Sequence, residues 1–216
     1  MTMQAGKKKT AFAQLKEQER EARKNIIIDA AENVFAAKPF NKVNMRDIAK
    51  EAGISPALIY RYFPDQQHLF VEAFLRGTKR LIDIYDDFLN SGDRVSIEDA
   101  AALFVAYLSE HEQYFKMMTH FMLDGTLNIE LLDKLNSIER SMLDQFDKLF
   151  KKIGVKGDTR MISHTFFAAL NGILITFRQH PGRSREEVQE HMRRIGNIVS
   201  KLFEHAITQG DNEMFE

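Results

Sequence analysis

Apolar residues recur at spacings of three and four along nearly the whole chain, and no stretch alternates Val, Ile or Thr with polar residues as a half-buried strand would. The pattern predicts an all-α protein. Ile27, Ala31, Val34 and Phe35 share one face of a first helix, which stops before Pro39 because a residue preceding proline is pushed out of the helical region. Asn44 caps a short second helix with Met45, Ile48, Ala49 and Ala52 inside, and Asp47 stands in its first turn, where a carboxylate suits the positive helix end. Gly53 is a left-handed stop, and Ser55 followed by Pro56 opens a very short third helix to Tyr62. After Pro64, Asp65 caps a long helix through about Leu89. Further helices are expected at Ile97 to Ser109, Glu112 to Leu123, Ile129 to Lys152, Asp158 to His180 and Arg185 to Thr208, so that the chain holds about nine.

The last two of these are apolar in different ways. Ile162, Phe166, Ala169, Ile173 and Phe177 form one stripe of the eighth helix while Phe167, Leu170 and Leu174 line another side, so it needs two packing partners. In the ninth, Val188, Met192, Ile195, Val199, Leu202 and Ala206 alternate spacings of four and three, the pattern of a bundle seam. A subunit core and an interface between subunits both satisfy these patterns.

Composition narrows the function. The chain of 216 residues has 44% hydrophobic and 28% charged residues, the make-up of a globular protein with a sizeable core. It has no Cys, which removes disulfides, thiolate zinc sites, iron–sulfur clusters and cysteine nucleophiles together and fits a reducing, cytoplasmic home. The longest apolar run, Thr165 to Phe177, is too short for a bilayer and is broken by Asn171, and Lys7, Lys8 and Lys9 lead into Gln and Glu instead of a secretory apolar segment. No membrane partner is expected. The net charge of −1 hides an asymmetry: residues 1–64 carry +5 and the remainder −6. A basic front points to a polyanion partner for that part of the chain. Gly6 to Lys24, with seven Lys or Arg, reads as a basic arm running into the first helix, with Lys7, Lys8 and Lys9 free to follow DNA.

Residues 45–62 read as helix, glycine turn, helix. Ala49 and Ala52 let the two helices cross closely, while Ile54, Ile59 and Phe63 turn back into a small core with Phe35 and Ile48. Ala57, Leu58, Tyr60, Arg61 and Tyr62 remain outside. Such a rod fits a major groove about 12 Å wide, where Arg61 can take guanine O6 and N7, the tyrosine hydroxyls can reach phosphates, and the helix start at Ser55 offers N–H groups to a phosphate oxygen. A plain αα-corner fits the same spacing.

The string AAENVFAAKPFNKVNMRDIAKEAGISPALIYRYFPDQQHLFVEAF, at the heart of residues 26–75, closely resembles the N-terminal domain of TetR-family transcriptional regulators. The likeness spans the first helix, the MRDIAKEAGIS block, LIYRYF and the helix start after Pro64, about a quarter of the chain. It implies a basic arm and helix start at residues 1–24, a helix-turn-helix domain at 25–70, and an all-helical ligand-binding and dimerisation domain at 71–216. It also implies that Arg46, Tyr60 and Tyr62 touch phosphates, that Ala57, Leu58 and Arg61 face base edges, and that the protein is a homodimer through a four-helix bundle. Phe166, Ile173, Phe177, Met192, Ile195 and Val199 are the candidate seam, with Gly172 and Gly196 allowing close approach. The chain departs from the common pattern at Gln66, where lysine is frequent.

Candidates for an effector pocket are Phe104, Tyr107, Phe115, Met118, Met122, Met142 and Phe146, because flexible methionines and aromatic walls suit apolar ligands; the same residues serve equally as plain core. The effector itself is a small molecule of unknown identity. His120 and Asp124 have a one-turn spacing that could hold a metal, and Glu110, His111 and Glu112 cluster, but no third ligand at a defined spacing follows, so no metal and no cofactor are expected. No glycine-rich phosphate loop, nucleophile elbow or HExxH motif is present, and an enzyme is not expected. Two functions fit: a ligand-responsive regulator, mostly a repressor, that binds a palindromic double-stranded DNA operator, and an all-helical ligand-binding or interaction module without sequence-specific DNA binding.

Overall fold

The structure, a computed structural model, describes residues 10–92, 94–124 and 129–209. These residues form nine α-helices: α1 (Ala11–Ala37), α2 (Met45–Glu51), α3 (Pro56–Ile59), α4 (Gln66–Asn90), α5 (Ile97–Glu110), α6 (Glu112–Asp124), α7 (Ile129–Lys152), α8 (Arg160–Phe177) and α9 (Arg185–Thr208). No strand occurs among them. The chain divides into two compact units, Met1–Ala73 and Phe74–Glu216.

Helix α1 begins earlier than its apolar pattern suggests. Thr10 caps it, its side chain accepting from the Ala13 N–H at 3.3 Å, and Glu19 pairs with Arg23 one turn on at 2.5 Å. Most of the segment expected as an arm is therefore helical. Residues 11–23 are all exposed, so no core imposes a 3.6-residue apolar period there and the sequence shows none. Lys7, Lys8 and Lys9 lie outside the described residues. In the last three turns, Ile27, Ile28, Ala31, Val34 and Phe35 are buried.

Two other boundaries moved. Helix α3 ends at Ile59, since the Tyr62 N–H donates to the Ile59 carbonyl at 2.8 Å and the Arg61 N–H to Leu58 at 3.2 Å, winding residues 60–62 into a tighter turn. Helix α8 starts at Arg160, where the Asp158 carboxylate accepts from the Arg160 N–H at 2.8 Å, and ends at Phe177.

The second unit is held by an aromatic spine. Tyr85, Phe104, Phe146, Phe150 and Phe166 are fully buried, and the Phe146 ring meets Phe166 edge-on at 5.1 Å and Tyr85 at 5.6 Å. Buried hydroxyls find acceptors: Tyr85 donates to the Ala100 carbonyl at 2.5 Å and Tyr107 to Gly77 at 2.8 Å, while Tyr114 and Thr78 share a hydrogen bond of 2.6 Å. Burial pushes the Tyr85 and Tyr114 phenols well above their ordinary range, so both stay neutral donors.

Gly77 is required by this packing. A Cβ there would stand 2.4 Å from Cδ2 of Tyr114, a ring stacked on Phe74 at 4.9 Å and pinned by Thr78. Replacing Gly77 with Ala gains about 1 kcal/mol of helix propensity but forces an overpacked contact that costs roughly 1–3 kcal/mol or more where the neighbour cannot withdraw. We expect a net loss of stability in thermal unfolding. An unchanged melting temperature would show that the Tyr114 ring has room to move.

Candidate nucleic-acid interface

The first unit is built around α2 and α3. The Asn44 side chain accepts from the Arg46 and Asp47 N–H groups, both at 3.0 Å, and so fixes the start of α2. Gly53 sits at φ +66°, the left-handed region where a Cβ is costly, and the Ile54 N–H donates back to the Ala49 carbonyl at 3.0 Å. The chain then turns into Ser55, which makes no capping hydrogen bond with its side chain, and Pro56 at the first helical position. Ile48, Ala49, Ile59 and Phe63 are buried beneath the pair, beside a ring cluster in which Phe70 meets Phe35 and Phe40 edge-on at 4.7 and 4.6 Å and those two rings stack at 6.0 Å.

With these inward positions filled, the remaining side chains point out. Arg46, Ser55, Ala57, Tyr60 and Arg61 are exposed, Tyr60 to 55%, while Leu58 and Tyr62 are half-buried. Gln66, the departure from the common pattern, is committed elsewhere: its side-chain amide donates to the Phe40 carbonyl at 2.8 Å. Lys24 is likewise tied inside the unit, paired with Glu72 at 2.8 Å and lying 5.9 Å above the Phe63 ring.

The exposed first half of α1 adds cations that sequence reasoning had assigned to a loose arm. An open cleft of about 570 Å³ is lined by Lys16, Arg20, Arg23, Arg61 and Tyr62 together with Glu17 and Glu19, the latter paired with Arg23. Lys16, Arg20 and Arg23 are spaced by four and three, a cationic stripe legible in the sequence once this segment is taken as helix. Flexible cations beside a presented guanidinium and two phenols suit a phosphate backbone next to a groove.

The other candidate residues lie in the second unit. Phe104, Tyr107, Phe115, Met118, Met142 and Phe146 are buried, and Met122 is 46% exposed. Several close on one another, with Phe104 and Phe146 at 6.0 Å and Tyr107 and Tyr114 at 5.7 Å, so they form a packed interior in this structure. The seam candidates require a correction. Phe166, Ile173 and Met192 are buried within the subunit, where Phe166 meets Phe146, Phe150 and Phe203; they hold α8 and α9 to their own core and cannot face a partner. Phe177, Ile195 and Val199 are half-buried. The outward apolar side chains are instead Met161 and Ile175 on α8 and Ile198 and Leu202 on α9, with Ala168 and Gly172 between the first two. Among the described residues no group of three or more His, Asp or Glu is gathered as a metal would require, and the Asp124 side chain lies outside them. No described helix is long and apolar enough to cross a membrane.

A capped α2, a glycine turn and a short, outward-facing α3 on a cationic unit define a helix-turn-helix regulator of transcription. Residues 27–73 match the family of bacterial regulatory proteins of the TetR type. Over 161 residues the chain is 22% identical to the fatty acid metabolism regulator protein of Bacillus subtilis, covering 70% of this chain and 81% of that one. Over 65 residues it is 37% identical to the transcriptional repressor KstR of Mycolicibacterium smegmatis, covering 30% of this chain and 31% of that one. The crystal structure of the regulator FadR from Bacillus subtilis in complex with stearoyl-CoA has the same fold, with a TM-score of 0.63 at 19% identity over 81% of this chain and 96% of its own. Residues 27–73 are thus a helix-turn-helix domain of the TetR type.

Proposed function

We propose that this regulator, a ligand-responsive DNA-binding repressor, holds a two-fold operator as a homodimer and is released when a small apolar effector of the fatty-acyl class enters the second unit. The observation that carries the DNA half is the exposed set Arg46, Ser55, Ala57, Tyr60 and Arg61, with Leu58 and Tyr62 partly covered, around a buried Ile59. Arg61 reads a guanine edge, Ala57 and Leu58 touch neighbouring bases, and Arg46, Ser55, Tyr60 and Tyr62 hold phosphates. One α3 of four residues makes few contacts, so two subunits act together on half-sites about 34–36 Å apart. Met161, Ile175, Ile198 and Leu202 form the seam of that dimer, since four large apolar side chains on two neighbouring helices gain from burial.

The effector half rests on the interior of Phe104, Tyr107, Phe115, Met118, Met142 and Phe146, whose methionines repack at low cost, and on the likeness to a regulator of fatty acid metabolism and to a neighbour solved with stearoyl-CoA. An effector that binds the DNA-incompetent state more tightly shifts the population by that difference in affinity. The reading places the protein in the cytoplasm, with no catalytic step of its own. Fluorescence anisotropy on the promoter region of its own gene, with and without a long-chain acyl-CoA, tests it. Binding should be sequence-specific, fall steeply with salt, and weaken when the ligand is added. Equal affinity for operator and scrambled DNA would favour the interaction-module reading.

A further inference from the structure

A second cavity lies at the junction of α5, α6, α8 and α9, entirely within the second unit. It measures about 360 Å³, and Arg178, Arg183 and Arg185 line it together with Ser109, Val188 and Met192. Three arginines face one carboxylate on its wall, Glu112, which already pairs with Lys116 at 3.1 Å and stands 4.0 Å from Arg178. The arginines are held in different ways. Arg178 is largely buried, its guanidinium stacked 4.3 Å from the Phe115 ring centre and donating to the Leu108 carbonyl at 3.0 Å. Arg185 donates to the Ser109 carbonyl at 3.2 Å, and the Arg183 side chain has no partner among the described residues.

Helix capping explains part of this arrangement, because the Leu108 and Ser109 carbonyls lie in the last turn of α5 and cations suit a helix C-terminus. It does not explain the rest. Two guanidiniums crowd one helix end and the third, Arg183, is exposed; burial depresses the Arg178 guanidinium below its ordinary value, with Glu112 opposing that shift and Arg185 adding to it. The Ser109 hydroxyl is a second, independent observation: the residue is only 9% exposed, it lines the cavity, and its Oγ has no hydrogen-bond partner. A buried orphan hydroxyl is destabilising unless something outside the chain completes it. Ser109 and Gln189 also line a neighbouring cavity of about 350 Å³ that runs along α5 and α9 past Ala101, Ala102, Val105 and Gly196. Glu110, Glu186, Glu190 and Arg193 stand on the same walls, so the arginine cluster adjoins a groove in which small apolar side chains lie beside charged ones.

We infer that this is a binding site for an amphipathic organic anion: Arg178, Arg183 and Arg185 take its carboxylate or phosphate, Ser109 Oγ donates to the same group, and its apolar chain lies between α5 and α9. The inference depends on the ligand-responsive reading only for its effect on DNA; binding itself stands apart.

The test is calorimetry on the full chain in phosphate-free buffer, with decanoate, decyl phosphate, decanol and inorganic phosphate as probes. At least one of the two amphipathic anions should bind tenfold or more tightly than decanol, and which one does so distinguishes a carboxylate from a phosphate ligand. Arg183→Gln, at an exposed side chain without a partner, should weaken anion binding about tenfold and leave decanol unchanged. Ser109→Ala should weaken it several-fold while the melting temperature holds or rises, an outcome a structural serine would not give. Equal binding of decanol and the anions, or wild-type affinity in both variants, overturns the site. Inorganic phosphate binding as tightly as decyl phosphate overturns the amphipathic assignment. The two readings are separated by the anisotropy assay: anion binding that leaves operator affinity unchanged rejects this site as the switch, whereas release of DNA by an acyl-CoA in Arg183→Gln at the wild-type concentration supports the regulator and rejects the anion site as its trigger.

Discussion

Leu202→Glu is expected to leave each subunit folded and to separate the dimer. Leu202 is 64% exposed in the subunit and Ile198, one turn before it, 59%, so a carboxylate there stays in water in the free chain and becomes unpaired and buried only when two copies meet. Sedimentation should show monomer at concentrations where the wild type is dimeric, with the helical circular dichroism intact. Operator affinity should fall by about a hundredfold or more, because a second reading head bound on the same site contributes through effective concentration. Phe166→Glu is the contrast. Phe166 is fully buried among Phe146, Phe150 and Phe203, and a charge there should unfold the second unit outright. A dimeric Leu202→Glu with full operator affinity would falsify the assignment of this face.

The second large effect is at Arg61. Its alanine variant loses a bidentate base contact and should bind the operator more weakly by about 1–3 kcal/mol, roughly tenfold to a hundredfold, with preference relaxed at one base pair of each half-site. Arg46→Ala should instead weaken binding to all sequences alike and reduce the salt slope by about 1. The two side chains are both exposed, so neither substitution should move the melting temperature. Competition by single-base operator variants separates the outcomes, and an Arg61→Ala protein that keeps its base preferences would move the readout to Ala57 and Leu58.

What the sequence discloses depends on how local the determining physics is. The starts of α2 and α3 and the turn between them were legible, because Asn44, Gly53 and Pro56 act on backbone groups within four positions of themselves, whereas the end of α3 fell three residues short of its expected place at Tyr62. The helix count was legible for the same reason. The start of α1 was not, since a helix exposed all round has no apolar period to read, and only the Thr10 cap and the Glu19–Arg23 pair mark it. Nor could the seam be assigned. Helix α8 carries apolar residues on several faces, and whether Phe166 or Ile175 points inward is decided by α5, α7 and α9 closing on one side of it. The arginine cavity joins Ser109 to residues about 70 positions away, a proximity no spacing rule expresses; the only signal in the chain was three Arg around Pro181 and Gly182.

The alternation of fates along residues 57–63 constrains how such a regulator changes targets over evolutionary time. Ile59 and Phe63 are bound into the core, while Tyr60 and Arg61, which lie between them in the chain, face outward. A sequence drifting toward a new operator is thus confined to a few positions, chiefly Ala57, Leu58 and Arg61, with a folding penalty at Ile59 and Phe63 among them. The first half of α1 carries no such penalty. Lys16, Arg20 and Arg23 stand on turns that support no packing, so charges can be gained or lost there freely, and general affinity for DNA can be retuned without disturbing either recognition or the fold.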